Sequence, residues 1–143
     1  AGIRLTSGGT DNHLLVADIT SFKLTGRQAE SALREANITL NRNSIPFDPN
    51  GAWYTSGLRF GAPALTTLGM GVDEMKEVAS IISLILSNTT ANTIESGKNA
   101  GQLSKAKYTT APEALSEAKK RVAVLLERYV LYPELDLEIL EKI

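Results

Sequence analysis

The sequence of 143 residues contains no cysteine, which excludes disulfide scaffolds and cysteine-based zinc sites. It also lacks a long apolar run, since IISLILS at residues 81–87 is far too short to span a bilayer. Lysine and arginine are dispersed and the net charge is −1, so the basic stripe typical of nucleic-acid-binding proteins is missing. No charged start leads into an apolar core, so no signal peptide is predicted. These absences together predict a cytoplasmic protein that binds neither nucleic acid nor a membrane.

The composition is that of an ordered globular protein. Hydrophobic residues make up 43% of the chain and charged residues 22%, both ordinary values for a folded domain. The length suits one domain with a real core and is short for two. We therefore treat residues 1–143 as a single domain.

The first part of the chain predicts a strand, a helix and a second, brief strand. HLLVADI at residues 13–19 has the apolar content of a buried strand. Thr25 and Gln28 have the spacing of a capping box, and Asn37 is a suitable helix end. Residues 38–40 then predict the brief strand. The helix between the caps has one narrow apolar face, formed by Ala29, Ala32, Leu33 and Ala36.

The middle of the chain alternates between loops and regular elements. Residues 41–50 carry two prolines and three asparagines, which predicts a structured loop rather than a strand interior. A strand pattern returns at residues 55–61 and ends at Pro63, and a glycine-bounded turn region follows. Asp73 is the predicted N-cap of a long helix. The buried face of that helix is predicted to contain Met75, Val78, Ala79, Ile82 and Leu86.

The last part of the chain starts with a polar segment. Residues 88–109 are rich in Ser, Thr, Asn, Gly and Lys and predict a mobile surface excursion. Thr110 and Glu113 have the spacing of a second capping box, and the helix behind it is expected to stop near Pro133. An acidic tail closes the chain. This order of elements predicts an α+β domain, a small antiparallel sheet with helices packed on one face.

Arg59 is the most informative candidate residue, because it is a permanent cation within an apolar strand pattern. Gly57 and Gly61 flank it at two-residue spacing and therefore share its side of the strand. Their lack of side chains leaves room for a ligand to approach, and a guanidinium binds a carboxylate through two parallel hydrogen bonds. From these residues alone, a carboxylate site and an ordinary exposed or ion-paired arginine are about equally favoured.

Other candidates favour structural roles. His13, the single histidine, has no acidic or cysteine partner at a recognisable spacing. The glycine-rich SGGTDN precedes a strand, whereas phosphate loops precede a helix, so a turn stabilised by Asp11 and Asn12 is preferred. No nucleophile–base pair and no metal-ligand cluster is found, so the sequence predicts no catalytic residue and no metal site in this chain.

Three motifs in order resemble serine hydroxymethyltransferase. They are SGGTDNHLLVAD, LTGRQAESALREANITLNRNSIPFDP and TSGLRFGAPALTTLGMG, and the likeness is continuous from about residue 5 to residue 86. The segment 88–110 is longer than the family pattern, and the tail beyond Pro133 has no evident counterpart. The resemblance implies the C-terminal small domain of the aspartate-aminotransferase fold type. It also implies an enzyme that interconverts serine and glycine and exchanges a one-carbon unit with tetrahydrofolate.

The resemblance implies pyridoxal phosphate as the cofactor, with tetrahydrofolate as co-substrate. The family's cofactor lysine lies in a large domain, directly after a histidine in a threonine-rich motif, and no such motif occurs here. The expected partners are therefore serine or glycine, the folate, the large domain and a second subunit of a homodimer. The chain alone is expected to be inactive.

The resemblance also assigns roles to three residues. Ser56-Gly57-Leu58-Arg59 matches the family's SGxR motif, whose arginine binds the α-carboxylate of the amino acid. Asn41-Arg42-Asn43 matches the N-[KR]-N motif, in which the residue at Asn43 contacts the folate ring system. Trp53 corresponds to an aromatic residue, usually Phe, beside the aminobenzoyl ring, although GAWY replaces the more usual Ser-Pro-Phe-Val.

Two alternatives remain open at this stage. The chain can be the small domain of another pyridoxal-phosphate enzyme that acts on a different amino acid. It can also be a stand-alone interaction domain that kept the fold and lost catalysis. Retro-aldol activity without folate binding favours the first alternative, and a gene start just upstream of Ala1 favours the second.

Overall fold

The computed structural model describes residues 3–133. Its main sheet has four antiparallel strands in the order β1-β2-β4-β3. Their bounds are Arg4–Leu5 for β1, Leu14–Asp18 for β2, Asn41–Asn43 for β3 and Gly57–Gly61 for β4. The helices are α1 at Gly26–Glu35, α2 at Gly51–Tyr54, α3 at Pro63–Thr67, α4 at Val72–Ser87 and α5 at Pro112–Arg128. The predicted α+β class and the antiparallel sheet are confirmed.

Helix α1 forms as its sequence predicts. The Thr25 hydroxyl accepts a hydrogen bond from Gln28 N at 3.2 Å, and Gln28 Oε1 accepts one from Thr25 N at 2.9 Å. This reciprocal capping box satisfies two amide groups that have no partner inside the helix. Asn37 adopts a left-handed φ of 64°, directly after the C-cap Ala36, so the predicted helix end is wrong by one residue. The predicted apolar face, formed by Ala29, Ala32, Leu33 and Ala36, is fully buried.

The hydrophobic core lies between α1, α4, α5 and one face of the sheet. Leu58 of β4 is fully buried there, together with Ile81 and Ile85 of α4. Ala118 and Val122 of α5 close the cluster. Because Leu58 faces the core, its neighbour Arg59 must face the opposite side of the strand. The core thereby fixes which face of the sheet is left open.

Several predicted elements of the middle region are wrong. Residues 38–40 form no strand, and the strand lies instead at Asn41–Asn43, inside the predicted loop. This segment has low β propensity, and its pairing with the edge of β4 outweighs that preference. One turn of helix, α2, occupies Gly51–Tyr54, and the predicted turn region after Pro63 contains α3.

The N-cap of helix α4 lies two residues before the predicted one. Gly71 is the N-cap and its N–H donates to Glu74 Oε2 at 2.9 Å, whereas Asp73 lies inside the helix and pairs with Lys76. Its buried face also differs from the prediction, since Ala79 is exposed and two isoleucines were missed. The buried residues of α4 are Ile81, Ile82, Ile85 and Leu86.

Residues 88–109, predicted as a mobile surface excursion, contain a β-hairpin. Strand β5 at Thr89–Thr93 pairs antiparallel with β6 at Leu103–Thr110. The hairpin packs on α1, because Gln28 Nε2 donates to Ser104 O at 2.7 Å and to Lys107 O at 2.8 Å. A buried side chain of α1 thus holds a polar segment whose own sequence has no strong strand signal.

Helix α5 also departs from the prediction at both ends. The second capping box does not form, because Thr110 is the last residue of β6 and its hydroxyl hydrogen-bonds that of Thr89 at 2.9 Å. The helix ends at Arg128, before the predicted stop at Pro133. The acidic tail lies outside the described residues. None of the helices in the described part of the chain is long and apolar enough to cross a membrane.

Candidate functional site

Arg59 lies at the centre of the open face of the sheet. Strand β4 is flanked by β2 and β3, and Arg59 is directly opposite Val16 on one side and Asn41 on the other. These cross-strand partners point to the same face. The side chain of Arg59 is exposed, although the apolar residues around it in the sequence indicate burial. Leu58 and Phe60 supply the buried character of this strand.

Among residues 3–133, the side chain of Arg59 makes one hydrogen bond, from Nε to Asn41 Oδ1 at 3.3 Å. Within residues 3–133, no carboxylate forms an ion pair with Arg59. The other arginines on and beside the sheet differ in this respect, since Arg4 pairs with Asp18 and Arg42 with Glu30. The described part of the chain therefore contains no carboxylate partner for the ion pair that was the other interpretation of Arg59.

A groove of about 580 Å³ runs beside Arg59, between the sheet and the loop at residues 6–12. The loop folds on itself as a turn: Asn12 Oδ1 accepts from Leu14 N at 2.8 Å, and Thr10 Oγ1 donates to Leu14 O. The role predicted for Asn12 is thus confirmed, whereas Asp11 makes no hydrogen bond to any described residue. His13 is exposed, and its carbonyl oxygen accepts from Ala62 N at 3.3 Å.

The two glycines beside Arg59 are required by packing within the protein. A Cβ at Gly57 would lie 2.6 Å from Ile45 Cγ2 and 2.9 Å from Asn43 O. A Cβ at Gly61 would lie 2.5 Å from His13 O. These distances are shorter than van der Waals contacts allow, so the space is occupied. The prediction that the glycines leave room for a ligand is wrong at both positions, since the Ile45 side chain fills the space at Gly57 and the His13 carbonyl oxygen fills it at Gly61.

Asn43 lies on the same face of the sheet as Arg59, whereas Trp53 lies on the side of the sheet that packs against α1. Asn43 pairs with Gly57 in the register of β3 and β4, so it shares a face with Asn41 and Arg59. Its Nδ2 donates to Ser44 O at 2.7 Å. The Trp53 ring, 63% exposed, lies 5.6 Å from the guanidinium carbon of Arg27 in α1.

Arg42 connects Trp53 to α1. Its guanidinium carbon lies 5.7 Å from the Trp53 ring centre, and its Nη1 lies 2.6 Å from Glu30 Oε2. Arg42 alternates with Asn41 and Asn43 along β3, so it faces the helix side of the sheet. No hydrogen bond or ring contact joins Trp53 to Asn43 in residues 3–133. The two predicted folate residues are therefore not brought together.

Sequence reasoning missed Asp48, which joins the loop after β3 to the start of β4. Burial alone would raise the pKa of this carboxyl. Hydrogen bonds from the Ser56 hydroxyl and from the N–H groups of Asn50, Ile45 and Ser56 outweigh that effect, so the pKa lies below its ordinary value. A single Asp between two prolines has the composition of an ordinary turn, so no sequence signal distinguished it.

The described residues do not form a pyridoxal-phosphate site by themselves. All the lysines in residues 3–133 are exposed, whereas a lysine that forms a Schiff base is activated by desolvation or a neighbouring cation. The same residues contain no group of three or more His, Cys, Asp or Glu side chains that could hold a metal ion. The arrangement at Arg59 suits the binding of a small carboxylate.

Comparison with known proteins gives the family. A family model described as serine hydroxymethyltransferase matches residues 1–82. The chain belongs to the serine hydroxymethyltransferase family. A serine hydroxymethyltransferase of Treponema pallidum is 53% identical over 135 residues, 94% of this chain and 23% of the relative. The serine hydroxymethyltransferase of Chlamydia muridarum is 53% identical over 140 residues, which are 97% of this chain and 27% of the relative. That of Salinispora tropica is 49% identical over 136 residues, which are 95% of this chain and 28% of the relative.

The chain spans about a quarter of the length of these curated serine hydroxymethyltransferases. Because each match covers at least 94% of the chain, the β5–β6 hairpin lies inside the matched region. The likeness to the family extends well beyond residue 86, where the sequence motifs end.

Proposed function

We propose that this chain is the C-terminal small domain of a serine hydroxymethyltransferase and supplies the residue that binds the substrate carboxylate. The intact enzyme would interconvert serine and glycine and exchange a one-carbon unit with tetrahydrofolate. It would act as a cytoplasmic homodimer, and residues 1–143 alone would be inactive. The single observation that carries the proposal is Arg59: an exposed guanidinium on an open sheet face, without a carboxylate partner in the described part of the chain.

The geometry at Arg59 suits a carboxylate with two oxygens. The Nε–H of the guanidinium donates to Asn41 Oδ1, whereas the two terminal nitrogens have no hydrogen-bond partner among residues 3–133. Two parallel hydrogen bonds from these nitrogens fix the orientation of a carboxylate as well as its position. The chemical contribution of Arg59 is therefore to orient the α-carbon of a bound amino acid.

Pyridoxal phosphate would be held mainly by the part of the enzyme outside this chain. It would supply an electron sink for the carbanion at the substrate α-carbon. Since the exposed lysines of this chain do not suit that cofactor, none of its chemistry is assigned to the residues described here. Their contribution is to bind and to orient the amino acid.

Asn43 is the proposed contact to tetrahydrofolate. It lies on the same sheet face as Arg59, two residues along β3 from Asn41, the cross-strand partner of Arg59. Its amide offers both a donor and an acceptor to a heterocycle. Trp53 is the weaker folate candidate, because its ring packs with Arg27 and Arg42 on the α1 side. Asn43→Ala should therefore raise the KM for tetrahydrofolate more than Trp53→Phe does.

The main test replaces Arg59 in the full-length protein. Arg59→Ala should abolish measurable serine turnover, and Arg59→Lys should retain little of it, because an ammonium group cannot make the planar pair of hydrogen bonds. Cofactor binding, followed by visible absorbance, should be largely unchanged in both variants. Near-normal serine affinity in Arg59→Ala would refute the proposal.

A matched control comes from another exposed arginine. Arg34 lies on α1 with a side chain 65% exposed and an ion pair to Glu30 at 3.6 Å. Arg34→Ala removes the same charge away from the open face, so it should leave serine turnover near the value of the unmodified enzyme. An equal loss in both variants would show that net charge, rather than the position of Arg59, controls binding.

A further inference from the structure

Asp48 ties together the two ends of the connection between β3 and β4. Its Oδ2 accepts hydrogen bonds from Ile45 N at 3.2 Å and from Ser56 N at 2.8 Å. Its Oδ1 accepts from Asn50 N at 2.8 Å and from the Ser56 hydroxyl at 2.6 Å. Ile45 follows β3 by two residues, and Ser56 directly precedes β4. One carboxylate thus joins the segments that leave and enter the two strands.

Thr55, next to this connection, has an unfavourable backbone conformation. Its φ is 56° and its ψ is 173°, a region that is populated essentially by glycine. The residue is β-branched and only 3% exposed, and its hydroxyl oxygen is buried without a hydrogen-bond partner in the described part of the chain. Such a conformation persists only where the surroundings over-determine it.

The surroundings of Thr55 restrain it from both sides. Its N–H donates to Gly51 O at 2.9 Å, and its carbonyl oxygen accepts from Gly26 N at 3.0 Å. The next residue, Ser56, is fully buried and is held by Asp48 through both its N–H and its hydroxyl. Of these restraints, the two bonds to Asp48 depend on one side chain. Asp48 is therefore the restraint that a single substitution can remove.

We infer that Asp48 is a positioning residue: it holds Thr55 in its unfavourable conformation and thereby fixes where β4 presents Arg59. The inference rests on the proposed function of Arg59. Strand β4 is only Gly57–Gly61 long, so Ser56 and Arg59 belong to one short rigid unit. The same unit pairs with β3 at Asn43 and Asn41. Asp48 does not line the groove beside Arg59, so its effect on substrate is indirect.

The experiment uses the full-length enzyme with Asp48→Asn. An asparagine keeps the shape of the side chain, but its NH₂ group would face N–H donors where a carboxylate oxygen now accepts. Misplacement of Arg59 by about 1 Å should lower kcat/KM for serine about 100-fold. Amide hydrogen exchange in residues 55–59 should become faster. The control is Asp73→Asn, an exposed carboxylate on α4, which should change neither quantity.

A second substitution separates positioning from general damage. Thr55→Gly lets the backbone keep φ 56° without steric strain, so the double variant Asp48→Asn/Thr55→Gly should recover most of the lost kcat/KM and slow the exchange again. A role limited to overall stability predicts instead that Asp48→Asn speeds amide exchange throughout the protein rather than mainly in residues 55–59. If Asp48→Asn does not fold, Ser56→Ala is the alternative, because it removes one of the four hydrogen bonds that Asp48 accepts. This variant should show a smaller loss of kcat/KM, and adding Thr55→Gly should reverse that loss.

The outcomes distinguish this inference from the proposed function. If Arg59→Ala abolishes serine turnover while Asp48→Asn leaves kcat/KM within about twofold of the original value, the positioning role is refuted and the proposed function stands. If Arg59→Ala leaves serine affinity unchanged, the proposed function fails, and the positioning role fails with it as far as substrate is concerned. If Asp48→Asn lowers kcat/KM for serine and the double variant does not recover it, the inference is also refuted.

Discussion

Arg59 on β4 and Asn41 on β3 lie directly opposite each other, and Arg59 Nε donates to Asn41 Oδ1 at 3.3 Å. The amide occupies one edge of the guanidinium without neutralising its charge. Asn41 therefore orients the arginine and leaves its positive charge available, which a carboxylate at the same position would not do.

Asn41→Asp should weaken serine binding in the full-length enzyme. The new carboxylate would form an ion pair with Arg59 and compete with the substrate carboxylate for the same cation. We expect the KM for serine to rise about tenfold or more, the equivalent of about 1.4 kcal/mol, with Asn41→Ala giving a smaller rise. Steady-state kinetics of both variants measure the difference. Equal effects of the two substitutions would contradict a competing charge.

Gly57→Ala should destabilise the protein. The added Cβ would meet Ile45 Cγ2 at 2.6 Å and the backbone oxygens of Asn43 and Ala17 at 2.9 and 3.0 Å. Because backbone atoms cannot move aside cheaply, we expect a loss of about 2 kcal/mol in the free energy of unfolding. Gly9→Ala is the matched control, since its Cβ would meet nothing within 4 Å. Urea unfolding of the two variants should differ clearly, and a neutral Gly57→Ala would contradict the packing described.

Gln28→Leu should detach the β5–β6 hairpin from α1. The substitution leaves Ser104 O and Lys107 O without the buried donor and removes the acceptor for Thr25 N. We expect a loss of about 3 kcal/mol, since each unpaired buried polar group costs about 1–3 kcal/mol. Faster amide exchange along β6 and proteolysis within residues 94–102 would report the detachment.

The control for the hairpin prediction is Gln102→Leu. Gln102 is exposed next to the start of β6, and the structure gives its side chain no hydrogen bond to any described residue. This variant should keep the exchange pattern of the unmodified protein. Unchanged protection of β6 in Gln28→Leu would show that other contacts hold the hairpin.

Glu77 should make stability depend on pH. Hydrogen bonds from Arg121 Nε and Nη2, at 2.7 and 2.8 Å, hold the pKa of Glu77 below its ordinary value. A lowered pKa in the folded state means that the stabilisation is present above the unfolded value, about 4.3, and is lost as pH falls through the folded pKa. The advantage of the unmodified protein over Glu77→Gln should therefore shrink below about pH 4.

Chemical unfolding of both proteins across the acid range measures this advantage. Glu95→Gln, which removes the same charge from an exposed residue beyond β5, serves as the control and should show no comparable trend. A difference between Glu77→Gln and the unmodified protein that stays constant down to the lowest pH would contradict the assignment to the Arg121 pair.

The sequence by itself predicted the elements whose signals are local. Thr25 and Gln28 define the start of α1 because a capping box involves residues only three positions apart. Ala29, Ala32 and Leu33 define its buried face because helical spacing puts them on one side. The SGxR motif selected Arg59, and the family was recognised from motifs that are contiguous in the chain.

Only the tertiary structure decided what surrounds those residues. The strand order β1-β2-β4-β3 puts Val16 and Asn41 beside Arg59 instead of a carboxylate, and strand order is a contact between distant segments. The hairpin at residues 89–110 is likewise hydrogen-bonded to Gln28, more than 70 residues earlier. Local propensity carries no information about such contacts, because pairing and burial against a distant partner outweigh the preference of the segment itself.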